Sequence, residues 1–219
     1  MENFCTDIDL LKYEDGLFGG DIFTQFVLCR GTGASITGSY LSANNVDFVA
    51  SQVGEGNVIF VRDDVNSWQG VYEVVQCVLA GQVQISVLRS GEEVLPVVNA
   101  TGLRFCVVSF KPIIYEVSFA IARYFGLSPA DGSAKYDVDD ISDLSALRNA
   151  ATLGCLSRIY AIMPYGADQT RNRRIFEKYE YYRKQYRIAL ENSCIAIDTS
   201  ADGSADIFLR GGEKALKRI

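Results

Sequence analysis

Hydrophobic and polar positions alternate with two different periods along this chain, and the change of period divides it. In "VYEVVQCVLAGQVQISVLR", Val71, Glu73, Val75, Cys77 and Leu79 alternate with Tyr72, Val74, Gln76 and Val78. Beyond Ala80–Gly81, the residues Val83, Ile85 and Val87 share one face. A two-residue repeat on both sides of a glycine turn predicts a β-hairpin, because successive strand side chains point to opposite faces. The pieces "FTQFVLCR", "ASITGSY", "NVIFVRD" and "LRFCVVSF" read as further strands, separated by Gly, Asn and Asp clusters. So many short strands over residues 22–110 predict a small antiparallel β-barrel or sandwich.

The period becomes helical at Pro112. Ser109 is placed to cap, Pro112 suits a first turn, and Ile113, Val117, Ile121 and Tyr124 recur at helical spacing up to Gly126. The acidic linker "SPADGSAKYDVDDISD" leads to a second helix near Leu144–Met163, ended by Pro164. A third spans about Asp168 to Asn192, with Ile175, Tyr179, Tyr182, Tyr186 and Ala189 on one stripe. At the start, Thr6 with Asp9 three residues on predicts a capped short helix. The expected fold class is α+β: an N-terminal arm (1–21), a β module (22–110), a helical bundle (111–195), then an Asp-rich turn and extended C-terminal tail (196–219).

Composition narrows the function. The 219 residues are 48% apolar and 22% charged, as in an ordinary globular protein able to bury a core. No run approaches the ~18–20 apolar residues of a membrane span. "MENFCTDIDLLKYEDG" lacks the apolar centre of a signal peptide. The six scattered cysteines form no C-x-x-C pair, and Cys29, Cys77 and Cys106 sit in strand-like runs, so a cytosolic chain without disulfides is expected. Histidine is absent, which removes the usual general base, nucleophile partner and commonest metal ligand. No enzyme activity and no cofactor are expected.

The net charge of −6 is unevenly spread. Residues 1–22 carry six acids against Lys12, and residues 131–143 carry five (Asp131, Asp137, Asp139, Asp140, Asp143) against Lys135. Residues 171–187 carry seven bases (Arg171, Arg173, Arg174, Lys178, Arg183, Lys184, Arg187) against Glu177 and Glu180. Such segregation is satisfied within one fold or between copies of it.

Four stretches invite chemistry. "RGTGAS" (30–35) lacks the third glycine and following helix of a phosphate loop, and reads as a hairpin turn. "DVDDISD" suggests a cation site or an acid/base pair, but acids ahead of a helix also cap it, with Ser142 or Asp143 as candidates. The third helix interleaves bases with Tyr179, Tyr181, Tyr182 and Tyr186, which suits nucleic acid or, more readily in an acidic chain, a protein interface. "IDTSADGSADIF" places Asp198, Ser200, Asp202, Gly203 and Asp206 at calcium-loop positions, but Leu209 stands where the bidentate Glu belongs. At most a weak Ca²⁺ site is expected there, and an Asx-rich turn is the simpler reading.

The order of "TDIDLLKYEDGLF", a β module, "FKPIIYEVSFAIARYFGL", "DISDLSALRNAATLGCLSRIYAIM", "FEKYEYYRKQYRIALENS" and "IAIDTSADGSAD" resembles the head–tail connector, or adaptor, proteins of tailed phages. The resemblance implies a structural virion protein of the neck, made in the host cytoplasm. It would form a ring, expected as a dodecamer, docked on the portal protein and facing a stopper, terminator or tail protein on the other side. Genomic DNA would pass through the channel without specific binding, and no membrane is involved. It also implies a portal-binding tail carrying Arg210, Lys214, Lys217 and Arg218. In related adaptors the Asp-rich turn reads D-x-D-G-D-G; Ser200–Ala201 depart from this, which leaves a turn that launches the tail. Within such a ring, Asp137, Asp139 and Asp140 would meet Arg171, Arg173, Arg174 and Lys178 of the next subunit. The alternatives are a nucleic-acid-binding module using helix 171–187, and an enzyme acting through the Asp cluster.

Overall fold

The computed structural model describes residues 3–19, 23–89, 91–95, 97–127, 136–164, 166–200 and 203–211. The chain mixes helix and strand and divides into two compact units, Thr6–Phe110 and Met1–Cys5 with Lys111–Ile219. The expected N-terminal arm is therefore split at Cys5/Thr6.

The first unit is built on six strands: β1 (Val27–Thr37), β2 (Tyr40–Ser42), β3 (Val58–Asp63), β4 (Trp68–Leu79), β5 (Gln82–Ser86) and β6 (Ala100–Val108). They close into an antiparallel barrel in the order β1-β2-β5-β4-β3-β6. Closure leaves no unpaired sheet edge. The interior is filled by alternate residues, among them Ile36, Leu41, Ile59, Val61, Val74, Val83, Ile85, Phe105 and Val107. The predicted hairpin forms β4 and β5 about Ala80–Gly81. Its alternation is interrupted by a bulge between Val74 and Gln76, which turns Cys77 toward the core. Glu73 is buried on this strand and is paired with Arg89.

"RGTGAS" is not a turn. Arg30–Ser35 lie inside β1 and pair with β6, with register shifts between Gly31, Ala34 and Ser35. Gly33 takes φ +73° in this bulge, and a Cβ on Gly31 would come within 2.6 Å of Phe105 Cε1. The reversal comes later, at Gly38–Ser39, between Thr37 and its partner Tyr40.

The outward side of β3 and β6 is also apolar. Val58 and Val108 are fully buried because α1 (Asp7–Leu11) and a 3₁₀ turn (Asp15–Phe18) pack over these strands. The Thr6–Asp9 capping box opens α1 as expected. Asp7 ties this cover to the barrel by accepting the Phe110 N–H at 2.8 Å.

The second unit contains α2 (Lys111–Tyr124), α3 (Ser145–Ile162) and α4 (Gln169–Asn192), followed by the hairpin β7 (Cys194–Ile197) and β8 (Ile207–Arg210). Central α3 packs on both α2 and α4 and buries eleven residues, several of them small (Ala150, Ala151, Gly154, Cys155, Ser157). Small residues let the neighbouring helices approach closely. Gly126 ends the α2 segment at φ +72°, and Asp168 caps α4 through the N–H groups of Thr170 and Arg171. Among the described residues no helix is long and apolar enough to cross a membrane.

Candidate functional site

The second unit holds most of the residues that the sequence marks for function. Helix α4 begins where Asp168 supplies the cap and continues for 24 residues, of which only Ile175, Tyr182 and Leu190 are buried. Tyr182 stacks on Tyr160 of α3 with centroids 5.7 Å apart and planes 14° apart. Tyr179 and Tyr186, expected on the same stripe, are only half-buried. Burial raises the Tyr186 phenol above its ordinary range, with Cys155 and Tyr124 adding to the shift, so it stays protonated.

The bases of α4 are not equivalent. Arg173 donates from Nε to Glu177 at 2.8 Å within its own helix, and Arg183 lies 3.5 Å from Glu180. Lys178 Nζ donates to the Tyr160 hydroxyl at 3.1 Å and sits 5.3 Å from that ring's centroid. Lys178 thus belongs to the α3–α4 seam. Arg171 and Arg174 are exposed.

The acidic segment has local duties. Asp137 and Asp140 form a capping box around the 3₁₀ turn Val138–Asp140, and Asp139 is exposed. Asp143 accepts the N–H and hydroxyl of Ser145, both at 2.8 Å, at the start of α3. That hydrogen bonding holds its carboxyl below the usual range. Of the two candidate caps for this helix, Asp143 serves and Ser142 instead donates its N–H to Ala196.

The Asp-rich stretch is the loop of the β7–β8 hairpin. Asp206 accepts from Thr199 N (2.9 Å), Thr199 Oγ1 (2.7 Å) and Ser200 N (3.2 Å), and these bonds lower its pKa. Asp198 accepts the Gly203 N–H at 2.8 Å, with Gly203 at φ +86°. Both carboxylates are turned inward on the loop backbone. Among the described residues no group of three or more His, Cys, Asp or Glu side chains is placed to hold a metal ion. Asp202 lies outside the described residues. The chain does not run straight from this turn into a tail: Leu209 and Arg210 belong to β8, paired with Ile195 and Cys194. Lys214, Lys217 and Arg218 lie outside the described residues.

Sequence reasoning missed a groove of about 1560 Å³ that crosses α3 between α2 and α4 and runs to β8. Its aromatic lining is Tyr124, Phe125, Tyr179 and Tyr186, and its charged lining is Glu116, Arg158, Arg183, Arg187, Glu191 and Arg210. Arg158 and Glu116 pair with each other across the floor. The floor is low because α3 carries Gly154 there, where a Cβ would meet Val117 at 2.8 Å and Tyr186 at 3.0 Å. The run of small residues in "AATLGCLS" was the available signal.

No family model, curated protein or solved structure matches the chain. The functional reading therefore rests on the residues themselves. The groove presents cations and aromatic rings around an apolar floor.

Proposed function

We propose that the chain is a structural subunit that works in many copies, a head–tail adaptor docked on a phage portal and joined to a stopper, terminator or tail protein. The observation that supports this most is α4. A helix of 24 residues spans about 36 Å, yet this one buries three side chains and leaves Phe176 and Tyr181 more than half exposed. Most of the stability of a protein helix comes from packing an apolar face. Neighbouring copies seated along α4 would supply the burial that one copy lacks, and would bring the exposed Asp139 and the exposed Arg171 and Arg174 into reach of each other. Each exposed pair adds about 0–1 kcal/mol, but a closed ring repeats it at every interface.

A nucleic-acid role for α4 has less support. Arg173, Lys178 and Arg183 are already engaged within the unit, and Glu177, Glu180 and Glu191 interrupt the basic face.

The test is the mass distribution of the purified chain by light scattering, alone and mixed with portal rings. Assembly into a defined multi-copy complex on the portal is the expected result. A monomer that ignores the portal and shifts only on adding DNA would refute the adaptor reading. Reversal of Arg171, Arg173 and Arg174 to Glu should weaken assembly. Lys178 is left in place, because it also fastens α4 to α3.

A further inference from the structure

The groove of the second unit has features that a ring contact along α4 does not explain. It contains two guanidinium groups, Arg187 and Arg210, with no ion-pair partner among the described residues. Arg183, one turn from Arg187 on the same lining, is shared with Glu180 at 3.5 Å and with the Tyr179 ring at 5.8 Å, both contacts on its own helix. At the end of the groove stands β8, which pairs with β7 and with no other strand among the described residues. Its remaining edge presents backbone N–H and C=O groups, and its Phe208 is 63% exposed.

We propose that this groove is the docking site for an extended, acidic peptide segment of a partner protein, with carboxylates at alternate positions and apolar residues between them. The charge points to the ligand class. Arg158 and Glu116 cancel and Arg183 is partly offset by Glu180, which leaves Arg187 and Arg210, with Arg183 beside them, against Glu191 in a chain that is acidic overall. Guanidinium groups favour carboxylates because their planar fork offers two parallel donors. The spacing also fits. Residues i and i+4 on a helix lie about 6 Å apart, as Arg183 and Arg187 do by position, while alternate residues of an extended strand lie about 6.8 Å apart. A strand laid on the open edge of β8 gains main-chain hydrogen bonds, and its intervening side chains reach the apolar floor between Val117, Ala120 and Tyr186.

A nucleic acid fits less well. It carries a negative charge on every nucleotide and would be forced against Glu191 on the lining, where a peptide can place an uncharged residue. The proposal goes beyond the adaptor reading and is independent of it: a protein that never meets a portal would still carry this site.

The experiment is selection of a random dodecapeptide display library on the intact, immobilised chain, beside the double variant Arg183→Gln, Arg187→Gln. Circular dichroism and thermal melting establish that the exposed double substitution folds as the parent does. Enrichment of peptides with alternating Asp or Glu and apolar residues on the parent, with about tenfold weaker binding of the winners to the variant, is the expected result. Binding of those winners should also weaken as salt rises. No enrichment, enrichment of basic or wholly apolar peptides, or equal binding to the variant would overturn the proposal. A labelled single-stranded oligothymidylate is the competing probe. If it binds the parent more tightly than the best peptide and loses that binding in the variant, the groove serves nucleic acid and the peptide site is rejected.

Discussion

Replacing Gly31 by alanine should destabilise the barrel, although Ala is ordinarily the better residue for order. Gly31 does not use a positive φ, so the backbone accepts a side chain without strain. On that ground alone the substitution should stabilise by about 0.4–1 kcal/mol, because the unfolded chain loses freedom. Packing opposes it. The new Cβ would lie 2.6 Å and 2.8 Å from Cε1 and Cζ of Phe105, and 3.1 Å from Val46 Cγ2. Carbon atoms prefer about 3.5–4.0 Å, so the ring must retreat by roughly 1 Å. It has little room: Phe105 is buried, and its ring centroid is 5.5 Å from that of Phe48, which is fully enclosed. Overpacking of this kind costs about 1–3 kcal/mol, and with so little room for the ring the upper half of that range applies, which leaves a net loss of about 1–2.6 kcal/mol. Trp68 is the chain's single tryptophan and packs against the barrel core, so its fluorescence during urea unfolding reads this unit. The midpoint should fall, and the thermal midpoint should drop by roughly 4–8 °C per kcal/mol. The partner change Phe105→Leu should recover part of the loss, so that the double variant is more stable than additivity allows by about 0.5 kcal/mol or more. A Gly31→Ala protein as stable as the parent, or strictly additive behaviour with Phe105→Leu, would refute the close-approach argument.

Other expectations follow from the same geometry. Arg89→Ala strands the buried carboxylate of Glu73 and should cost about 3 kcal/mol in the Trp68-monitored transition, whereas Glu73→Leu with Arg89→Leu should cost far less. Thiol labelling of the native chain should modify the exposed Cys194 first. Cys29 should stay unreacted at pH 8, because burial, with the neighbouring Cys106, pushes its pKa up to about 12. The Asp206 carboxyl is held below its ordinary value of 3.8 by Thr199 and then Ser200, so its contribution is fully present above that value and is lost as pH falls through the lower folded pKa. The protection of the Thr199 and Ser200 amides, taken as the exchange rate relative to the intrinsic rate at each pH, should accordingly fall below about pH 4 and stay constant between pH 5 and 8; a loss of protection in the neutral range would count against this loop structure. Added calcium should leave the Gly203 amide signal in place, since the Asp198 carboxylate is already bound to it.

Much of the fold was legible in residue order, and the reasons are local. The period-2 stretch from Val71 announced β4 and β5, since a strand with one face inward writes its burial into alternate positions. Thr6 with Asp9, and Asp143 as one of two candidates ahead of α3, announced helix starts because a cap is a bond between residues two or three apart. Glycines were less readable. The same residue type that suggested a turn at "RGTGAS" serves there to admit the Phe105 ring and to bulge a continuous strand, and only the pairing of β1 with β6 decides between these. Likewise "IFLR" was too short to distinguish from a tail until it met "CIAI" across the hairpin.

By itself, then, the sequence determined where strands give way to helices, where helices begin, and that opposite charges are segregated along the chain. Tertiary structure alone decided that six strands close into a barrel, that Lys178 is committed to Tyr160 while Arg187 and Arg210 are not paired among the described residues, and that Tyr124, Arg158, Arg183 and Arg210 line one groove. The physical reason is range. Periodicity, capping and turn chemistry act between residues a few positions apart, so they are written in the order of the chain. Closure, ion pairing and groove formation join residues dozens of positions apart, through packing that small side chains such as Gly154 permit but do not announce.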